Sequence, residues 1–212
     1  MRKSAIVAAL FFGMMLLTGC AASGNNGMIA DGDTPETEEI TFSPANAFAD
    51  VVCSAEEALK WAEENPVAVS GEFSTGQDIM ASFFNTANAG NPASVLCAKY
   101  YELHPEGMTA ELYEAEKDQY PVLYFVLVEY DGKEYHVKTR ESSGTELDSA
   151  GIYQHLVFLT GENPEGALTK YTDEYVLVDD PDITLEQLHR SMVSSQYGDW
   201  IRHSTVFSDF HD

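Results

Sequence analysis

The side chains able to do chemistry fall into a few groups. Asp179, Asp180 and Asp182 in VLVDDPDITLEQ crowd carboxylate oxygens together, the donors that hard cations such as calcium take. They miss the calcium-loop pattern: counted from Asp180, the sixth position holds Leu185 instead of glycine and the twelfth Ser191 instead of glutamate. The expectation is a polar turn whose acids favour the start of the next helix, with no metal centre. Lys133, His136, Lys138 and Arg140 gather positive charge in a chain with only 11 Lys and Arg. On a strand, three of them share a face. That face is a candidate for binding an anionic glycan or phosphate, or for pairing across strands with acids such as Glu129. Cys53 and Cys97 are candidates for a disulfide, which an oxidising compartment allows, or for two free thiols packed as small hydrophobes. Trp61, Tyr101, Tyr197 and Trp200 could serve a sugar- or protein-binding surface, or the core.

Catalytic signatures are missing from the sequence. The 6 histidines are scattered without HExxH, and GxSxG, P-loop and GxGxxG patterns do not occur. No Cys/His spacing suits zinc. A catalytic Cys97 would need a histidine brought to it by the fold. No catalytic residue and no cofactor is assigned.

Cys20 stands apart from these groups, because its position fixes an address. Arg2 and Lys3 precede an uncharged, mostly apolar run from Ala5 to Leu17, too short to span a ~30 Å hydrocarbon core but suited to a secretory signal. Leu17, Thr18, Gly19 and Cys20 then resemble the lipobox of bacterial lipoproteins. That resemblance implies a diacylglyceryl group on the Cys20 sulfur and cleavage just before it. Two acyl chains make a durable anchor where one does not. The expected location is the outer face of the cell membrane.

Composition bounds what hangs from such an anchor. Removing Arg2 and Lys3 with the signal leaves 9 basic residues against 35 acidic ones, moving the net charge from −24 to −26. This charge repels nucleic acid and anionic lipid head groups, and favours solubility and cationic partners. A chain that is 44% hydrophobic with 11 Tyr and 11 Phe can build a core.

The elements that position these residues follow from pattern. Residues 1–19 are the signal and 20–45 a lipidated cysteine with a flexible acidic linker. Residues 46–212 are expected to be one α+β domain, a largely antiparallel sheet packed with several short helices. Ser54 with Glu57, and Thr184 with Gln187, spell capping boxes, and Thr75 with Asp78 reads as another cap. VAVS, PASVLCAKYYEL, EYVLVDD and IRHSTVFSDF read as strands; IYQHLVFLTG fits strand or helix, and its aromatic and β-branched content favours strand. PEGMTAELYEAEKDQ reads as an acidic, partly helical connection. Asp131-Gly132 predicts a hairpin. Val122 to Val128 is apolar on both alternations and should be covered on both sides.

NPASV, DQYPVLYFVLVEYDGK, YVLVDD and SSQYGDWIRHSTVFSDF together resemble a family of Gram-positive cell-surface lipoproteins of uncharacterised function, over roughly residues 75–210. The resemblance implies the same address and no particular chemistry. The expected function is a non-catalytic binding domain, tethered through its lipid to the membrane, for an envelope protein or an extracellular ligand. An inhibitor or immunity-type protein acting on a cationic enzyme, and a hydrolase with a site assembled from distant residues, are the alternatives.

Overall fold

A computed structural model describes residues 42–71, 73–106, 108–163, 169–194 and 200–212. The signal, Cys20, nearly all of the linker and Tyr197 lie outside the described residues.

Local capping chemistry starts the helices. Ser54 Oγ accepts the Glu57 N–H at 3.4 Å while Glu57 Oε2 accepts the Ser54 N–H at 3.2 Å, and α2 runs Ala55–Glu63. Thr184 and Gln187 make the same reciprocal pair ahead of α5, Leu185–Val193. An earlier helix, α1 (Pro44–Asp50), starts inside the stretch read as linker. Ser43 caps it, a proline opens it, and Phe42 packs its ring 6.3 Å from that of Trp61. Regular structure therefore already covers Pro44 and Ala45, ahead of the expected boundary at residue 46. Helix α3 (Gln77–Asn88) departs from the expected Thr75–Asp78 cap. Its N-cap is Gly76 at φ 80°, and Thr75 instead bridges Val69. A Cβ on Gly76 would stand 2.8 Å from the Ala68 Cα, so both conformation and space require glycine there. Helix α4 spans Ala110–Glu116.

The α+β class with mostly antiparallel strands holds, and the strands divide into two sheets. The first contains β1 (Ala68–Ser70), β2 (Ala93–Tyr101), β3 (Val122–Tyr130), β4 (Tyr135–Glu141) and β5 (Ser149–Tyr153) in that order. Only β1 and β2 pair in parallel. The second contains β6 (His155–Glu162), β7 (Tyr171–Val178) and β8 (His203–His211), all antiparallel. The division falls inside IYQHLVFLTG: β5 ends at Tyr153, β6 begins at His155, and Gln154 is the step between sheets. The Asp131-Gly132 hairpin forms as its sequence predicts, with Gly132 at φ 97°.

The outer face of the first sheet (Leu96, Ala98, Leu123, Phe125, Leu127) packs on Phe48, Ala58 and Ala62 of α1 and α2. Its inner face (Val95, Cys97, Val126, Val128, Val137) packs on Met80, Phe83 and Ala87 of α3 and on Leu177, Val206 and Phe207 of the second sheet. Val176 and Val178 pack on Leu185 and Leu188 of α5 on the far side. Leu96, Leu123, Leu177 and Leu188 are fully enclosed, each contributing about 1.5–3 kcal/mol. β3 is thus covered on both faces, as its double-sided apolar pattern requires.

Strand β8 crosses over the inner face of the first sheet. Its outer edge meets side chains instead of another strand. Tyr153 Oη donates to His203 O at 3.1 Å, the Lys99 ammonium donates to Thr205 O, and Ser70 Oγ donates to Ser208 O at 2.9 Å while accepting the Ser208 N–H at 2.8 Å. Side chains from β5, β2 and β1 therefore satisfy an edge that would otherwise be open to pairing with another chain.

Candidate functional site

The register of the first sheet builds a site where β8 stops covering it. Cross-strand neighbours on the inner face run in rows. Val95, Val128 and Val137 form one row, and Cys97, Val126 and Thr139 the next, both in or beside the core. One step further, Lys99 lies opposite Tyr124 and Tyr124 opposite Glu141. Beyond these, Tyr101 lies opposite Val122. The face thus changes from aliphatic to aromatic and charged within two rows. There an open cleft of about 500 Å³ forms, with Tyr101, Tyr120, Tyr124 and Thr139 as its floor and wall and Ser204 and Thr205 of β8 as its rim. Its size falls in the range of small-molecule sites. Lys99 and Tyr101 also border a second hollow of about 400 Å³ that includes His104, Ser208 and Phe210.

Electrostatics separate the two sides of this cleft. Lys99 is half-buried where the two sheets meet, and desolvation pulls its ammonium below the ordinary lysine range, opposed by the fields of Cys97 and Glu174. Burial pushes the Tyr124 phenol up, and the carboxylates of Glu141 and Asp148 push it further. Tyr101 rises for the same first reason, with Tyr124 adding to it. Both phenols therefore stay neutral at physiological pH. Their rings stand 6.2 Å apart at 70°, and Tyr101 remains 47% exposed, so the pair presents aromatic surface to solvent. The cleft joins neutral aromatic faces, hydroxyls and a carboxylate around one occupied ammonium, which is the makeup of a binding site.

The residues singled out from sequence go to several places. Tyr101 is in the cleft. Trp61 is half-buried, edge-on to Phe125 at 5.8 Å, in the layer between α2 and the first sheet. Trp200 is 62% exposed and away from the residues lining the cleft.

The four basic residues of β4 and its turn do not act as one face. Arg140 is 2% exposed. Its Nε and Nη2 donate to Phe48 O at 2.8 and 2.5 Å, Nη2 to Val51 O at 2.5 Å, and Nη1 to Glu141 O and Gly144 O, both at 2.9 Å. It is a cap for the end of α1, seated against the rings of Phe48 and Phe125. Lys138 pairs with Glu129 at 3.1 Å. His136 Nε2 stands 3.7 Å from Asp131 and 3.5 Å from Glu134, and these three donors gather within 4.8 Å at the hairpin tip. Lys133 is exposed beside them. The surroundings of His136 and Lys138 are acidic.

Cys53 and Cys97 are free, which corrects the disulfide alternative. They stand in different layers. Cys97 is on the inner face, 3.4 Å from Met80 Sδ, while Cys53 packs with the α1–α2 layer on the other side. Burial pushes the Cys97 thiol up to about 12, so it is inert as a nucleophile at neutral pH. Asp179 pairs with Arg202 at 2.7 Å, and Asp180 Oδ1 accepts the Asp182 N–H at 3.0 Å. These are the bonds of a polar turn, and among the described residues the three carboxylates do not form a converging donor set.

Sequence reading missed Lys99 and Tyr124. The available signal was the interruption of two apolar alternations, AKYY in β2 and LYFV in β3, but only the register shows that the interruptions are neighbours. No protein-family model, curated protein or solved structure matches the chain.

Proposed function

We propose that the chain is an exported, lipid-anchored binding protein whose ligand occupies the cleft floored by Tyr101 and Tyr124. The observation that carries this reading is the row Lys99–Tyr124–Glu141, where the inner face of a well-packed sheet is left aromatic, polar and open. Aromatic surface beside hydroxyls and a carboxylate costs stability when left in water, and binding recovers it. The inert thiol of Cys97 supports a role without covalent chemistry. The Leu17–Cys20 pattern supports the anchor, and among the described residues no helix is long and apolar enough to cross a membrane. Anchoring raises the domain's effective concentration toward ligands at the surface.

Ligand-observed NMR with a mixed fragment set of amines, carboxylates, sugars and aromatics tests the cleft. Fragments should bind the wild-type chain and be lost on Tyr124→Ala, while the folded spectrum persists. Binding that ignores Tyr124→Ala, or no binding at all, contradicts the reading.

A further inference from the structure

The cleft's chemistry narrows the class of ligand, an inference that rests on the binding reading above. Among the described residues lining the cleft the one cation is Lys99, a single positive charge set against carboxylates on the other side. The Lys99 ammonium is already turned to the Thr205 carbonyl under β8, and the opposite flank of Tyr124 carries the fields of Glu141 and Asp148. The chain as a whole is also strongly acidic, with a net charge of −24, which draws cations in and keeps anions out. The Tyr101 and Tyr124 rings meet edge to face, with centroids 6.2 Å apart at 70°, and the face of a neutral tyrosine is the negative pole of its quadrupole. A carboxylate lining the same cleft, that of Asp148, completes the chemistry that recognises alkylated ammonium groups.

We propose that the cleft binds an organic cation, a quaternary or alkylated ammonium seated against the rings of Tyr101 and Tyr124 with Asp148 as its counter-charge. The cation's apolar surface covers the rings, and its charge meets ring faces and carboxylate without needing a hydrogen-bond donor of its own. Asp148 borders the cleft directly. Glu141 contributes through its field, since its Oε1 accepts from Ser143 Oγ at 2.6 Å.

Calorimetric titration separates this proposal from the wider binding reading. The probes are choline and its uncharged carbon isostere, in which a tert-butyl group replaces the trimethylammonium. Choline should bind more tightly than the isostere by on the order of tenfold. Raising salt should weaken choline binding. Tyr124→Phe should keep the affinity, Tyr124→Ala should abolish it, and Asp148→Asn should weaken choline without affecting the isostere. Tyr124→Phe and Asp148→Asn carry the test if Tyr124→Ala fails to fold. Equal binding of the two probes overturns the organic-cation proposal and leaves a binding cleft. Neither probe binding, while another fragment class binds in a Tyr124-dependent way, overturns the proposal alone. Neither probe nor any fragment binding overturns both.

Discussion

At the scale of single residues, two buried cations behave differently because of what surrounds them. Arg140 has a full set of carbonyl acceptors and two aromatic faces. Replacing it with methionine keeps the stem but orphans the end of α1 and the turn after β4. Arg140→Met should lose about 3 kcal/mol or more, read as a lower urea midpoint. Arg140→Lys should recover little, because an ammonium cannot span acceptors on two segments. Among the described residues Lys99 donates to one carbonyl, and its folded-state affinity for a proton is depressed by burial. Below that lowered pKa the ammonium is charged in both states, and its full desolvation penalty weighs on the fold. As pH rises toward the ordinary lysine value of 10.5, the unfolded chain binds more protons than the folded one, so this contribution to stability rises with pH. Paired urea titrations should show the wild type gaining on Lys99→Met as pH climbs toward 10.5. A difference constant with pH would mean that burial does not perturb Lys99.

At the scale of elements, short-range signals were legible and long-range ones were not. Ser54 with Glu57, Thr184 with Gln187, and Asp131-Gly132 each act within a few residues, so spacing alone identifies them. Helix α1 escaped because its segment, PANAFAD, is short and rich in small residues. Its C-terminal end is held by Arg140, 89 residues away from Val51 and 92 from Phe48. The step at Gln154 escaped because both sides of it have strand composition; only the partners of β5 and β6 differ. The stapled edge of β8 is likewise non-local, since Ser70 reaches Ser208 across 138 residues. Ser70→Ala leaves the Ser208 N–H without its acceptor, while Ser74 Oγ still serves the carbonyl. The expected cost is about 1–3 kcal/mol, with faster hydrogen exchange at the Ser208 amide. Unchanged exchange there would show that water replaces the serine without loss.

At the scale of the whole molecule, the proposed address and the proposed cleft rest on different kinds of signal. Leu17-Thr18-Gly19-Cys20 reads locally from four residues. Intact mass of the protein expressed in a lipoprotein-processing bacterium should show a diacylglyceryl chain begun at Cys20, and Cys20→Ala should release the chain from the membrane fraction. A soluble, unmodified wild type would remove the anchor from the account. The cleft could not be read this way. Lys99, Tyr124 and Thr205 share it only because the register of β2 on β3 and the crossing of β8 bring them together.

The most direct measurement is NMR of the full mature chain carrying ring-labelled tyrosine, titrated with the choline probe or with any fragment that binds. The account predicts that, of 11 tyrosines, those of the cleft shift: Tyr101, Tyr124 and, at its border, Tyr120. Shifts centred on Tyr130, Tyr153 or Tyr171, or a ligand that binds while every cleft tyrosine stays fixed, would contradict it.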